Sequence, residues 1–142
     1  MTSDDRLGAI RRVTAGTMVE TLGIRLTALG DGTATGEMAH RDDLCQVAGL
    51  FHAGAILALA DSVATSAALT VVSPEGEFDL SRFPLAIQTS SNLVGNANRG
   101  KLSATAEAVH RGRTTIVVET KVRHDSGKLV ATTSTTLLVP GP

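Results

Sequence analysis

One carboxylate stands where carboxylates are rarely found. Asp61 lies within the run His52–Leu69, which is otherwise almost entirely Ala, Leu, Ile and Val with a few small hydroxyls. No Lys or Arg falls within four residues on either side, so no local helical ion pair can neutralise it. An aspartate in such a run is expected to be buried and to carry a raised pKa, as functional carboxylates do. A carboxyl tuned in that way can act as a general base or as a nucleophile. The bland alternative is a side chain that reaches the helix edge and meets solvent or a distant partner.

The elements that must hold Asp61 follow from the patterning. Residues 51–72 read as a helix apolar nearly all round, and therefore as one wrapped by protein. Its Ala55, Ala58, Ala60, Ala64, Ala67 and Ala68 allow surrounding backbone to approach closely. Before it, Ser3 followed by Asp4 and Asp5 predicts a helix start, and Leu7, Ile10, Val13, Val19 and Leu22 give an apolar stripe. Gly23 is the stop, so residues 1–22 form an N-terminal helical segment. Ile24–Leu29 and Thr33–His40 read as strands joined by an Asp31-Gly32 turn. Residues 41–50 and Ser73–Arg82, the latter with Pro74 and Gly76, read as loops. After them come Phe83–Ala97 and a stretch around Leu102–Ala108 with strict alternation. Ile116–Arg123 alternates again, and Lys128–Val139 closes the set, with turns at Arg111-Gly112-Arg113 and Asp125-Ser126-Gly127. One apolar helix and consecutive antiparallel strands make an α+β chain, 1–142, with a sheet around the helix.

Composition narrows the functions. The net charge of −1 and scattered Lys and Arg show no basic stripe, and three Phe with no Tyr or Trp offer no base-stacking platform, which argues against nucleic acid. A single Cys excludes an internal disulfide, and no spacing suggests a metal site. Cys45 reads as a small apolar side chain. The apolar helix carries Asp61 and several hydroxyls, a poor membrane span, and the acidic N-terminus lacks an apolar signal core. A soluble, cytoplasmic protein is expected.

Several short segments together resemble the hotdog-fold thioesterases, the group of the phenylacetate-degradation and 4-hydroxybenzoyl-CoA thioesterases. The pattern Asn-x-x-Gly-x-x-His-Gly-Gly, then Leu-x-Asp, is met here by Gln46-Val47-Ala48-Gly49-Leu50-Phe51-His52-Ala53-Gly54 and Leu59-Ala60-Asp61. Asn92-Leu93-Val94-Gly95-Asn96-Ala97-Asn98-Arg99-Gly100 is similar to the family's Asn-Phe-Leu-Arg-Pro-Ala-x-x-Gly. His110–Thr114 and Asp125–Ala131 match its last two hairpin turns. Three positions depart: Gln46 for Asn, Ala53 for the first Gly, and Asn96 for Pro. The resemblance implies an antiparallel sheet wrapped around a long helix, an acyl-CoA substrate with no other cofactor, and an active site at a dimer interface.

Thioester hydrolysis needs an activated water or carboxylate nucleophile and donors for the oxyanion. Asp61 can supply the first and the Ala53 N–H, at the positive end of the helix, the second. Gln46 can donate to a carboxylate, a water or the thioester oxygen. His52 either orients the loop or touches the thioester. Gly54 adjoins the donor, and Thr65, one turn past Asp61, can line an acyl pocket or bond back to the helix. Asn98, Arg99, Lys101, Arg111 and Arg113, near turns, are candidates for the phosphates of coenzyme A. Ala53 and Asp61 are separated by roughly 12 Å along one helix, so one thioester cannot meet both within a subunit. The site therefore joins Asp61 of one subunit to Ala53 of another, in a homodimer or a dimer of dimers. A hydratase would pair His with a carboxylate in a pattern not found here. The alternative is a non-catalytic acyl-CoA or acyl-carrier binding protein, favoured by Gln46 and Ala53.

Overall fold

The computed structural model describes residues 2–75 and 77–141; Met1, Gly76 and Pro142, which belong to the N-terminal, loop and domain readings above, lie outside the described residues. The chain opens with α1 (Ser3–Thr14), capped by Thr2 rather than Ser3. The Thr2 hydroxyl accepts from the Asp5 N–H at 3.1 Å, and the Asp5 carboxylate accepts from the Thr2 N–H at 2.9 Å. That reciprocal pair is a capping box, and the Thr2 hydrogen bonds hold the Asp5 carboxyl below the usual range. The expected single helical segment is two helices. Gly16 adopts a φ of 75°, Thr17 then caps a second, short α2 (Met18–Thr21), and Gly23 at φ 72° ends it.

Six strands follow the expected positions: β1 (Arg25–Gly30), β2 (Thr33–Ala39), β3 (Leu85–Leu93), β4 (Lys101–Arg111), β5 (Thr115–His124) and β6 (Leu129–Leu138). They form one antiparallel sheet in the order β1-β2-β4-β5-β6-β3. The sequence order conceals one step: β3 crosses the sheet to pair with β6, at the edge opposite β1. Strict alternation resolves into faces, with Leu102, Ala104 and Ala106 of β4 and Ile116, Val118 and Val122 of β5 fully buried against the helix.

The central helix α3 (Ala53–Val72) lies across the concave face of that sheet. Ala60, Ala64, Ala67 and Ala68 are buried, as a close wrap requires. Gly36 of β2 shows how close it is. A β-carbon there would sit 2.8 Å from Val63 Cγ2 of α3 and 3.2 Å from the Arg25 carbonyl. At the far end of α3, the Thr70 hydroxyl accepts from the Gly32 N–H at 2.8 Å and fixes the helix to the β1–β2 turn. α3 is long and apolar enough to cross a membrane by composition alone, but most of it is enclosed by the sheet.

The two sheet edges differ. α1 packs along β1, and Arg11 Nη2 donates to the Leu26 carbonyl at 2.7 Å. Among the described residues β3 has no such cover, and it carries Leu85, Ile87 and Leu93 exposed.

Candidate active site

Two features of α3 bear on chemistry, and they sit apart. The first is its N-terminus. A loop from Cys45 to Phe51 delivers the chain there, pinned by a single antiparallel bridge between Cys45 and Phe51. His52 is the N-cap, and its Nδ1 accepts from the Gly54 N–H at 2.8 Å. Accepting at Nδ1 requires the tautomer with its proton on Nε2, so His52 orients the helix start. The His52 carbonyl takes the N–H groups of Ala55 and Ile56. That leaves the Ala53 N–H without a partner among the described residues, at the positive end of a 20-residue helix. Ala53 and Gly54 are exposed, so a ligand can reach this donor.

Gln46 stands on the same loop, half-buried. Its side-chain carbonyl accepts from the Ala48 N–H, which orients the amide and leaves its NH₂ donors uncommitted among the described residues. Behind the loop, Asn96 does what the family's Pro at that position cannot. Its Nδ2 donates to the Phe51 carbonyl at 2.9 Å, while its Oδ1 accepts from Phe51 N–H at 3.0 Å and Ala97 N–H at 2.8 Å. The side-chain amide thus pairs with Phe51 as a neighbouring strand would. Phe51 is fully buried, edge-on to His40 with ring centroids 5.0 Å apart, and two residues from the Ala53 donor. In the sequence Asn96 stands out only as a departure from the family's Pro; an amide replacing proline beside a tight loop is the signal it carries.

The second feature is Asp61. The lone chain does not bury it, contrary to expectation, because α3 leaves one stripe uncovered: Gly54, Leu57, Ala58, Asp61 and Thr65 are exposed or half-buried along one face. Apolar neighbours still crowd the carboxyl, and this desolvation raises its pKa. Asp61 borders two pockets: one of about 150 Å³ between α1, α2 and the Asp61–Leu69 face of α3, lined also by Phe83, and one of about 200 Å³ toward Met18, Leu22 and Ala58. Thr65 lines the first of them one turn from Asp61. The contribution of α1, α2 and Phe83 was not read from the sequence. The stripe Leu7, Ile10, Val13 announced a packed face without saying what it faces.

The coenzyme A candidates do not form one cluster. Asn98 and Arg99 are exposed on the β3–β4 loop, at the α3 N-terminal end, where the Arg99 carbonyl meets His124 Nε2 at 2.9 Å. Lys101 beside them is paired with Glu37 at 3.0 Å. Arg111 and Arg113 lie at the other end of β4, about 33 Å away by strand length. Arg111 is committed there to the β1–β2 turn, through Asp31 Oδ1 at 2.7 Å and the Asp31 carbonyl at 3.0 Å. Cys45 rests with Sγ 3.0 Å from His40 Nε2. Desolvation, then the charges of Asp42 and Asp43, push its thiol pKa up, the opposite of an activated nucleophile.

The model of the thioesterase superfamily matches residues 48–131, more than half of the chain and including both the α3 N-terminus and Asp61. The chain belongs to this superfamily. Its hotdog fold, six antiparallel strands around a long helix, is the one the resemblance implied. Among its relatives, PA1618 of Pseudomonas aeruginosa, named as an esterase, is 32% identical over 75% of this chain and 70% of that one. A crystal structure of a PA1618 mutant, there called a thioesterase, superposes with a TM-score of 0.83 at 27% identity, over 94% and 92% of the two chains. A 1,4-dihydroxy-2-naphthoyl-CoA hydrolase of Listeria monocytogenes is 27% identical over 84% of this chain and 93% of its own. SAV0944 of Staphylococcus aureus, called a thioesterase enzyme, has a TM-score of 0.78 at 26% identity, over 87% and 98%. Two of its solved structures are of variants, one with a glutamine and one with a glutamate replaced by alanine.

Proposed function

We propose that this protein hydrolyses acyl-CoA thioesters to the free acid and coenzyme A. Asp61 serves as general base or nucleophile, and the Ala53 N–H of the partner subunit receives the oxyanion. The observation that carries the reading is the pairing of an unpartnered helix-terminal N–H with a desolvated carboxyl beside a pocket, on one helix but about 12 Å apart. A thioester carbon needs both within about 3 Å, so a second copy must supply one of them. The uncovered edge of β3 and the uncovered stripe of α3 are where that copy fits. The replaced glutamine and glutamate of SAV0944 stand fifteen positions apart, as Gln46 and Asp61 do. That spacing supports Gln46 as a working side chain of this branch, positioned by Ala48 and donating through its NH₂.

The test uses two variants and a thiol reagent that reports released coenzyme A. Asp61→Asn removes the base and is expected to lower kcat by about 10²–10⁴-fold. Ala53→Pro removes the N–H at a first helical position, where proline costs the helix least. Each variant alone is inactive. Unfolded and refolded together, they regain about a quarter of wild-type activity, because half of the dimers are mixed and each mixed dimer holds one intact site. No recovery in refolded mixed dimers overturns the shared site. Wild-type protein that binds acyl-CoA but turns over none is a binding protein on an enzyme's fold.

A further inference from the structure

Of the two pockets that border Asp61, the one that also takes in Thr65, Leu69 and Phe83 has a composition that selects its occupant. Away from the carboxyl its walls are Ile10 and Val13 of α1, Val19 of α2, Leu26 of β1, Leu69 of α3 and Phe83. Four hydroxyls also line it, but three have spent their hydrogens. Thr14 Oγ1 donates to the Ile10 carbonyl at 3.0 Å, Ser62 Oγ to the Ala58 carbonyl at 2.7 Å, and Ser66 Oγ to the Ser62 carbonyl at 2.8 Å. The fourth, Thr65, has no partner among the described residues, and it stands next to Asp61, where the reacting carbonyl belongs. The deeper pocket therefore offers hydroxyl oxygens as acceptors but, beyond Thr65, no hydroxyl hydrogen free to donate to a polar substituent. Its volume of about 150 Å³ matches that of an apolar protein cavity known to take up one benzene ring.

We infer that the acyl group is compact and apolar, of about six or seven carbons without hydroxyls, and that α1, α2 and Phe83 form the wall that measures it. The inference rests on the thioesterase reading above. It assigns the N-terminal helices a part in substrate choice. Val13 stands at the rim, 38% exposed, so a larger side chain can enter the pocket there without disturbing the core. A ring hydroxyl carried past Thr65 would lose water and meet only hydroxyls whose hydrogens are already donated to helix carbonyls, so its own oxygen would gain no donor there, a loss of about tenfold or more in kcat/KM per hydroxyl.

The experiment compares kcat/KM for acetyl-, hexanoyl-, decanoyl-, benzoyl- and 3,4-dihydroxybenzoyl-CoA, in the wild type and in Val13→Phe and Val13→Ala. Hexanoyl- or benzoyl-CoA is expected to be the best substrate, with the dihydroxybenzoyl thioester at least tenfold below benzoyl. Val13→Phe should lower the ratio of hexanoyl to acetyl turnover at least tenfold, and Val13→Ala should move the optimum toward longer chains. A preference for decanoyl- or dihydroxybenzoyl-CoA overturns the inference while leaving the enzyme a thioesterase. So do ratios that neither folded variant moves. Hydrolysis of none of the five refutes the thioesterase reading itself. If one variant fails to fold, the other and the wild-type profile still decide.

Discussion

Replacing Asn96 by alanine probes the least obvious support of the site. Three hydrogen bonds disappear: to the Phe51 carbonyl, from the Phe51 N–H and from the Ala97 N–H. Phe51 N–H keeps a weaker bond to the Ala97 carbonyl at 3.3 Å, but the Phe51 carbonyl loses the partner supplied by Asn96. Phe51 is completely buried, so water cannot easily take that place. At about 1 kcal/mol net per bond, the variant should lose about 3 kcal/mol. For a chain of this size that is a fall in Tm of about 10 °C, read by scanning calorimetry with protomer concentration held fixed. Phe51 is two residues from the Ala53 N–H, so a loosened loop also misplaces the proposed oxyanion donor. kcat should fall about tenfold, a fraction of what losing such a donor outright costs. Asn96→Asp keeps the accepting oxygens but sets a carboxylate against the Phe51 carbonyl, and should be no better than alanine. An alanine variant that melts within a degree of wild type, with unchanged kcat, refutes the reasoning.

Asp61 also makes a prediction about stability. Its pKa is raised in the folded chain, so its contribution is fully present below the unfolded value of about 3.9 and is lost as pH rises through the folded value. Asp61→Asn should therefore melt above wild type at pH 7, with the gap closing on acidification toward pH 4; a gap independent of pH would mean the carboxyl is not desolvated. Gln46→Ala should lower kcat by more than it raises KM, since the lost amide acts on charge that develops in the transition state. Steady-state kinetics with unchanged kcat would make the amide a bystander and leave the oxyanion to Ala53 alone.

Much of this was legible because periodicity and burial agree. The alternation of Leu102, Ala104 and Ala106 can be satisfied only by a strand with one dry face, and the alanine-rich run could be stable only if wrapped. The unpaired Ala53 N–H follows from any helix beginning at His52. What stayed hidden was relational. That β3 joins β6 rather than β4 is decided by packing, and nothing local in Leu85–Leu93 encodes it. The uncovered stripe through Asp61 is likewise a property of what surrounds α3, so a run apolar on every side suggested burial that a single chain does not deliver. Arg111 reads as a free cation at a turn, and only the fold reveals the Asp31 carboxylate opposite it. Gly16, whose positive φ splits α1 from α2, is a readable break that the apolar stripe running on either side of it masks.

The contact between Gly36 and Val63 has a consequence for how such a protein can diverge. It works as a key in a slot: α3 cannot roll or slide without driving a methyl group into the β2 backbone, so the bearing of Asp61, two residues away, is set by the sheet. The pocket wall is anchored elsewhere, through α1 on β1 and α2 on α3. Mutation can therefore reshape residues 3–22, and with them the space offered to a substrate, while the carboxyl keeps its aim. On the proposed reading, reactivity and selectivity are carried by parts of the chain that can drift at different speeds.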